Sequence, residues 1–332
     1  MTPLAREAGD PLAPAAPAKV DAAGPPGPSG PSGPFIDLGP TAAPTLSPSP
    51  LLQAVAPAAT KWLPTGKGRW IYLPQATEGG NVAGIVAKAK ATGLTYLWVR
   101  MGSAWDGFNV VPFLNNLLPA AHAAGVKVVG WDFPKLEPIE ADVARALAMI
   151  GHTTPSGDRI DAFSADIETR AEGTRLTADA ARAYGAALRA GVGDGYPLIA
   201  TVPRPSKQRS FFPYGDVTAS YDAIAPMVYW LNRQPDTDVA GAIRDLAQFG
   251  KPIFPIGQAY DGSPEGGGKG VPPPDELRRF MAAAKSAGAT SLSFWSWQHA
   301  NEPAWAAIGA YAELAAAEVL GTVVIAPDRP GA

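Results

Sequence analysis

From residue 66 onward the chain repeats one alternation: a short apolar run rich in aromatic and β-branched residues, then an Ala-rich amphipathic segment. The apolar runs at 69–73, 95–101, 127–132, 162–168, 198–203, 223–229, 253–260 and 291–297 predict strands. Helix-period segments lie near 80–92, 111–124, 139–150, 177–190, 236–249, 274–287 and 303–318. The link between the fifth and sixth strands is shorter and irregular. Alternating strands and helices imply parallel pairing, because each helix carries the chain back across the sheet. Eight such units in roughly 250 residues fit a closed eight-stranded (β/α)8 (TIM) barrel better than an open doubly wound sheet. No G-x-G-x-x-G turn follows the first strand, which argues against a dinucleotide-binding sheet.

Local signals punctuate the units. Gly93, Gly125, Gly191, Gly250 and Gly288 each stand where a helix should end and a strand begin, the place for a left-handed C-terminal residue. Thr177 and the Pro273-Pro274-Asp275 run mark helix starts. Residues 1–60 differ in texture, being mostly Ala, Pro, Gly and Ser with hardly an aromatic. Such a stretch buries too little apolar surface to offset its ordering entropy, so it reads as a disordered arm. The domain expectation is therefore an arm over 1–60, a barrel over 61–318 and a C-terminal tail over 319–332.

The charge balance excludes several functions. A net charge of −3 with no basic run argues against nucleic acid and anionic membrane surfaces as main partners. The absence of cysteine removes disulfide and thiolate-metal frameworks, and His122, His152 and His299 lack ligand spacing, so neither metal nor cofactor is expected. No stretch is apolar enough to span a membrane. The N-terminus lacks the basic and apolar regions of a signal peptide, which favours the cytoplasm if Met1 is the true start. A start further upstream would instead favour secretion or the cell surface. The partner of the arm is not legible.

In a (β/α)8 barrel the reacting groups sit at the C-terminal ends of the strands. Those ends offer Trp98 and Arg100 on the second strand, Trp131 and Asp132 on the third, and Ser164, Asp166 and Glu168 on the fourth. Arg204 follows on the fifth, Met227, Tyr229 and Trp230 on the sixth, Gln258, Tyr260 and Asp261 on the seventh, and Trp295 and Trp297 on the eighth. Aromatic rings mixed with carboxylates and amides suit sugars, whose C–H faces stack on indoles while their hydroxyls need placed polar partners. Arg204 with Lys207 and Arg209 offers positive charge for a phosphate or an acidic sugar, although a solvated loop explains such clusters more often. His299 lies just beyond the eighth strand, and a Gly-rich stretch at 262–270 follows the seventh as a candidate lid or tolerated insertion.

The fourth strand is the sharpest signal. Ser164, Asp166 and Glu168 occupy alternate positions and so share one face. Unpaired carboxylates under the helices would cost several kcal/mol, so this face is expected to point inward and toward the mouth. Two carboxylates this close in a partly dry site do not both ionise freely, and the retained proton is what a general acid needs. Glu168, nearest the open end, is the expected acid, with Asp166 as its orienting and stabilising partner. The competing structural reading is an internal charge network with Arg100.

Asp161-Ala162-Phe163-Ser164-Ala165-Asp166-Ile167-Glu168 resembles the D-x-x-D-x-D-x-E strand of family 18 glycoside hydrolases, the chitinase family. Met227-Val228-Tyr229 resembles the M-x-Y of that family's sixth strand, and Trp295 or Trp297 its tryptophan floor. The resemblance implies that Glu168 protonates the glycosidic oxygen, that Asp166 steadies the substrate's own acetamido group as it attacks the anomeric carbon, and that Tyr229 hydrogen-bonds that acetamide. It implies N-acetylhexosamine polymers such as chitin or peptidoglycan as substrates. Two positions depart from the pattern: Ser164 stands where the family has an Asp, and Trp230 where an Asp follows the tyrosine.

The same D-x-E is similar to the fourth strand of family 25 lysozymes, whose last strand ends W-Q like Trp297-Gln298, but no Asp lies on the first strand here. The large retaining superfamily fits less well, because its strand-seven Glu is replaced by a run ending in Asp261. A distant, uncharacterised relative of these barrels is a further reading. The sequence therefore points to hydrolysis of O-glycosyl bonds in a polysaccharide or cell-wall glycan. The alternative is a catalytically inactive barrel that binds glycan.

Overall fold

The computed structural model describes residues 61–312. The arm expected over 1–60, the tail over 319–332 and the end of the last predicted helix lie outside them. The strands are β1 (Gly66–Ile71), β2 (Tyr96–Ser103), β3 (Gly107–Phe108), β4 (Lys127–Phe133), β5 (Ala162–Asp166), β6 (Leu198–Pro203), β7 (Ala223–Val228), β8 (Ile256–Gln258) and β9 (Ser291–Trp295). Parallel pairing runs from β1 through β2, β4, β5, β6, β7, β8 and β9 and returns to β1, so eight strands close into the expected barrel. Strand β3 lies outside the barrel, antiparallel to the end of β2. The helices are α1 (Val82–Ala91), α2 (Val111–Ala123), α3 (Ile139–Gly151), α4 (Ala178–Val192), α5 (Tyr214–Thr218), α6 (Pro235–Leu246), α7 (Pro274–Ser286) and α8 (Glu302–Ala310). The irregular fifth link is the short α5 with a 3-10 turn at Lys207–Arg209.

Alternation along each strand divides the core in two. Trp70, Tyr96, Trp98, Val129, Trp131, Ile199 and Phe254 fill the barrel interior. Leu97, Val99, Phe163, Ala165, Val202 and Phe294 face the helices. The interior is a packed core: Trp70 stacks on Trp98 with ring centroids 4.4 Å apart, and Trp131 and Trp295 tilt against Trp70 at 5.3 and 5.7 Å. Each buried indole withdraws about 200 Å² from water, an upper bound of roughly 5 kcal/mol in transfer free energy.

Strand β1 begins three residues earlier than expected, because its glycines hide it from propensity. A Cβ on Gly68 would lie 2.1 Å from the Tyr96 ring, so only glycine lets that ring into the barrel floor. Beside it Lys67 turns outward and donates from Nζ to the carbonyls of Ile308 and Tyr311, each at 2.7 Å, closing the C-terminus of α8. Gly93, Gly125, Gly250 and Gly288 have φ of 65°, 75°, 65° and 91°, as the helix-end reading requires. Gly191 does not end its helix. It sits inside α4 where a Cβ would meet the Leu147 side chain at 2.7 Å, and Gly193 at φ 71° ends the helix instead. Thr177 caps α4 by accepting from the Ala180 amide at 3.1 Å, and Pro273 precedes α7 as expected.

Candidate active site

The C-terminal mouth of the barrel holds a cavity of about 330 Å³ lined by both acidic and aromatic side chains. Strand β5 ends at Asp166 and the chain continues extended, with the Ile167 amide donating to the Thr201 carbonyl at 2.9 Å. That continuation keeps the alternation alive: Phe163, Ala165 and Ile167 pack under the helices, while Asp166 and Glu168 reach the cavity. Both carboxylates are nearly dry, 6% and 7% exposed. Burial is the main cause that pushes Asp166 above the usual carboxylate range; the Asp132 charge adds to it and Arg100 opposes it. Glu168 is pushed well above its ordinary value, first by burial, then by Asp166 and Glu172. Both shifts run in the direction that favours a retained proton on the pair. Asp166 Oδ1 is buried without a hydrogen-bond partner among the described residues.

Around this pair stand Tyr72, Tyr229, Tyr260 and Trp295, with Met227 and Ile256 completing the apolar wall. Tyr229 and Tyr260 meet edge to face at 5.4 Å. Asp261 lines the rim, and its Oδ1 accepts the amides of Ser263 and Gly270 at 2.9 Å each, folding the Gly-rich loop over the cavity edge. Glu265 from that loop accepts from the Tyr260 hydroxyl at 2.9 Å, and burial pushes its carboxyl up to about 6. His299 also lines the cavity, 2.7 Å from the Ser296 hydroxyl, and burial lowers its pKa, which keeps the imidazole neutral at pH 7.

The structure brings only some of the residues expected at the mouth together. Glu168, Asp166, Met227, Tyr229, Tyr260, Asp261 and Trp295 line the cavity. Trp98, Trp131 and Ser164 point the same way but lie deeper, as its packed floor. Ser164 bonds the Thr201 hydroxyl at 2.9 Å and the Ile199 carbonyl at 3.2 Å, so a neutral hydroxyl pair stands below Asp166. Arg100 stacks over Tyr72 at 5.3 Å and donates to Asp106 at 2.8 Å, a loop carboxylate rather than either site acid. Arg204 lines a separate recess beside Glu168.

Four expectations are corrected. Asp132 turns under α3, fully buried, where the Arg145 guanidinium clamps it at 2.8–3.1 Å. Beyond Arg100 a register shift between β2 and β4 accompanies this outward turn. Trp230 packs on Phe280 of α7 and donates its indole N–H to Glu276 at 2.7 Å. Trp297 packs edge-on against Trp305 of α8 and donates to Glu78 at 2.9 Å. Gln258 is buried beside the loop after β7, accepting from the Leu231 amide at 2.8 Å. Trp230 lies one position from cavity-lining Tyr229, where a single step along the strand reverses the face, while Gln258 and Trp297 lie two positions from lining residues, where the strands end.

Sequence reasoning missed Glu265, Thr201, Ile256 and Trp70 as cavity residues. Thr201 pairs with Asp166 across β5 and β6, a register readable only after folding. Glu265 sits in a Gly-rich loop with no periodicity to announce which way it points.

No family model matches the chain, and no curated protein matches it by sequence. Solved structures do match in fold. A chitinase from Chromobacterium violaceum is 12% identical over 74% of this chain and 98% of its own, with a TM-score of 0.52. A family 18 N-acetylglucosaminidase from Paenibacillus barengoltzii is 11% identical over 74% and 99%, at 0.50. An endo-1,4-β-mannanase from Rhizomucor miehei is 9% identical over 70% and 86%, at 0.53. The chain thus has the (β/α)8 barrel fold found in these glycoside hydrolases.

Proposed function

We propose that the protein hydrolyses glycosidic bonds in an N-acetylhexosamine polymer such as chitin or peptidoglycan glycan. The observation that carries this reading is the pair Glu168 and Asp166, buried together at the mouth of an aromatic-walled cleft that pushes the Glu168 carboxyl well above its ordinary value. Glu168 protonates the departing glycosidic oxygen, so the leaving sugar departs as a neutral alcohol. The oxygen of the substrate's acetamido group forms the new bond to the anomeric carbon as the old one breaks. Asp166, with an oxygen that has no hydrogen-bond partner among the described residues, steadies the acetamido N–H as positive charge develops there. Tyr229 hydrogen-bonds the acetamide, and Trp295 and Tyr260 receive the apolar faces of the sugar rings. Water then attacks the anomeric carbon, the bond from that carbon to the acetamido oxygen breaks and regenerates the acetamide, and the Glu168 carboxylate takes the water's proton, which restores the starting state.

A second reading, a barrel that binds glycan without cleaving it, is favoured by one observation. Ser164 and Thr201 supply only hydroxyls beneath Asp166, at the position where the family 18 pattern has a carboxylate. The test is release of reducing ends from chitin oligomers and purified peptidoglycan by the wild type and by Glu168→Gln. Activity lost in the variant supports hydrolysis with Glu168 as acid. A folded wild type that binds these glycans and releases nothing supports the binding barrel.

A further inference from the structure

The main cavity is acidic and aromatic at once. Its lining includes the carboxyls of Asp166, Glu168, Asp261 and Glu265, and no Lys or Arg side chain among the described residues. Two guanidinium groups close by, Arg100 and Arg233, are not part of the lining and are held by Asp106 and Asp238 at 2.8 Å each. Tyr72, Tyr229, Tyr260 and Trp295 surround the carboxyls with ring surface. Carboxylates backed by aromatic rings are the chemistry that holds an ammonium group, through charge attraction and cation–π contact in a space short of water. Independently of that charge pattern, Asp166 is 6% exposed, lines the cavity, and has an Oδ1 without a hydrogen-bond partner among the described residues. The volume of about 330 Å³ suits sugar units rather than an isolated ion.

Glu265 is the lining carboxyl that the reaction outlined above leaves unused. It ends a 3-10 turn over Ser263–Glu265, and Gly266, at a φ of 80° that favours glycine, turns the chain back directly after it. The Gly267 amide donates to the Gly262 carbonyl at 2.9 Å, and Asp261 ties the two ends of the loop, so the carboxyl is presented by an ordered turn. Its Oε2 accepts from Tyr260, and a carboxylate has a second oxygen to offer. Burial pushes its carboxyl up to about 6, which leaves it mostly ionised at pH 7. The loop follows β8, three strands round the ring from β5, so Glu265 and the Asp166–Glu168 pair approach the cavity from separate sides.

We infer, resting on the glycan-hydrolase reading above, that the cavity selects a chain carrying a free amine, with the Glu265 carboxylate holding the ammonium group of a de-N-acetylated hexosamine beside the ring whose acetamide meets Asp166. The substrate class is then a partly de-N-acetylated, cationic N-acetylhexosamine polymer. An ammonium group brings donors and a positive charge to Glu265, whereas a neutral acetamide there leaves a half-buried carboxylate without a counter-charge.

The experiment measures calorimetric Kd values at pH 7 in the Glu168→Gln protein, in which bound glycan stays intact. The ligands are a fully acetylated N-acetylglucosamine tetramer and four tetramers with one free amine each, one for every ring position. At least one of the four is expected to bind about tenfold tighter than the acetylated tetramer, the scale of one charge-assisted hydrogen-bonded pair. Adding Glu265→Gln, which removes the charge and keeps an acceptor for Tyr260, is expected to bring that ratio to near unity. Glu265→Asp, which keeps the charge and shortens the reach, is expected to give an intermediate ratio and serves where Glu265→Gln does not fold.

Acetylated tetramer bound as tightly as every amine, no binding of any tetramer, or an amine preference unchanged by Glu265→Gln overturns the inference. Hydrolysis by the wild type is scored separately. Amine preference without cleavage sinks only the hydrolase reading, and cleavage of acetylated glycan without amine preference sinks only the role of Glu265.

Discussion

Replacing Asp166 by Asn tests whether its charge helps Glu168 to hold a proton. The two side chains stand two residues apart on one extended run, so their carboxyls are separated by about 6.6 Å along the strand. At an effective dielectric of about 20, a unit charge at that distance acts with 332/(20 × 6.6), or about 2.5 kcal/mol. Divided by 1.36 kcal/mol per pH unit, this is about 1.8 units of Glu168 pKa when Asp166 is ionised. Burial, the larger cause, is untouched by the substitution, so the Glu168 value should fall by about 1–2 units and stay above that of a free glutamate. The assay is a 13C carboxyl NMR titration of Glu-labelled protein, with the Glu168 signal assigned by its loss in Glu168→Gln. It needs no turnover, so it reads the site in an inactive variant as well. In active protein the alkaline limb of kcat/KM should move down by the same amount. A Glu168 pKa unchanged in folded Asp166→Asn would refute the electrostatic account of the pair.

The same pair makes a stability prediction whose sign is fixed. Both carboxyls have folded values above their unfolded ones, so their contribution is fully present below about pH 4 and lost as pH rises through the folded values. Asp166→Asn should therefore raise Tm relative to wild type at pH 8 and have little effect at pH 4, with each kcal/mol worth about 2–4 °C; an equal shift at both pH values contradicts this. Arg145→Met strands Asp132 and Asp142 in the helix layer and should cost about 3–5 kcal/mol in chemical denaturation at pH 8. Because Asp132 already titrates near 6, the loss should shrink at pH 5, and a pH-independent loss would point to packing alone. Trp295→Ala should weaken glycan binding measured by calorimetry, whereas Trp297→Ala should cost about 3–5 kcal/mol of stability as a helix-layer cavity. Reversal of those two phenotypes would mean that the cavity walls are misassigned.

The barrel was legible in the chain because its evidence is local. Apolar runs, helix periods and end glycines each depend on a few neighbouring residues, and most boundaries hold to within a few positions. Where local preference misleads, a long-range contact explains it. Gly68 looks like a strand breaker until Tyr96 arrives across the barrel, and Gly191 looks like a helix end until Leu147 packs against it. The alternate positions of Asp166 and Glu168 likewise declared their shared face without a fold.

What the sequence could not decide was which side of the strand each neighbouring group takes once strands bend, bulge or end. Asp132, Trp230 and Trp297 stand within two positions of interior-facing aromatic residues in the chain, yet their side chains answer to Arg145, Glu276 and Glu78 on separate elements. Glu265 and the Arg204–Arg233 recess arise the same way, from loops brought together only when the ring of strands closes. The sequence by itself determined the repeating units and the acidic face of the fourth strand, because those follow from spacing along one segment. Tertiary structure alone decided which polar groups share the dry space around that face, because burial and charge pairing depend on partners far away in the chain.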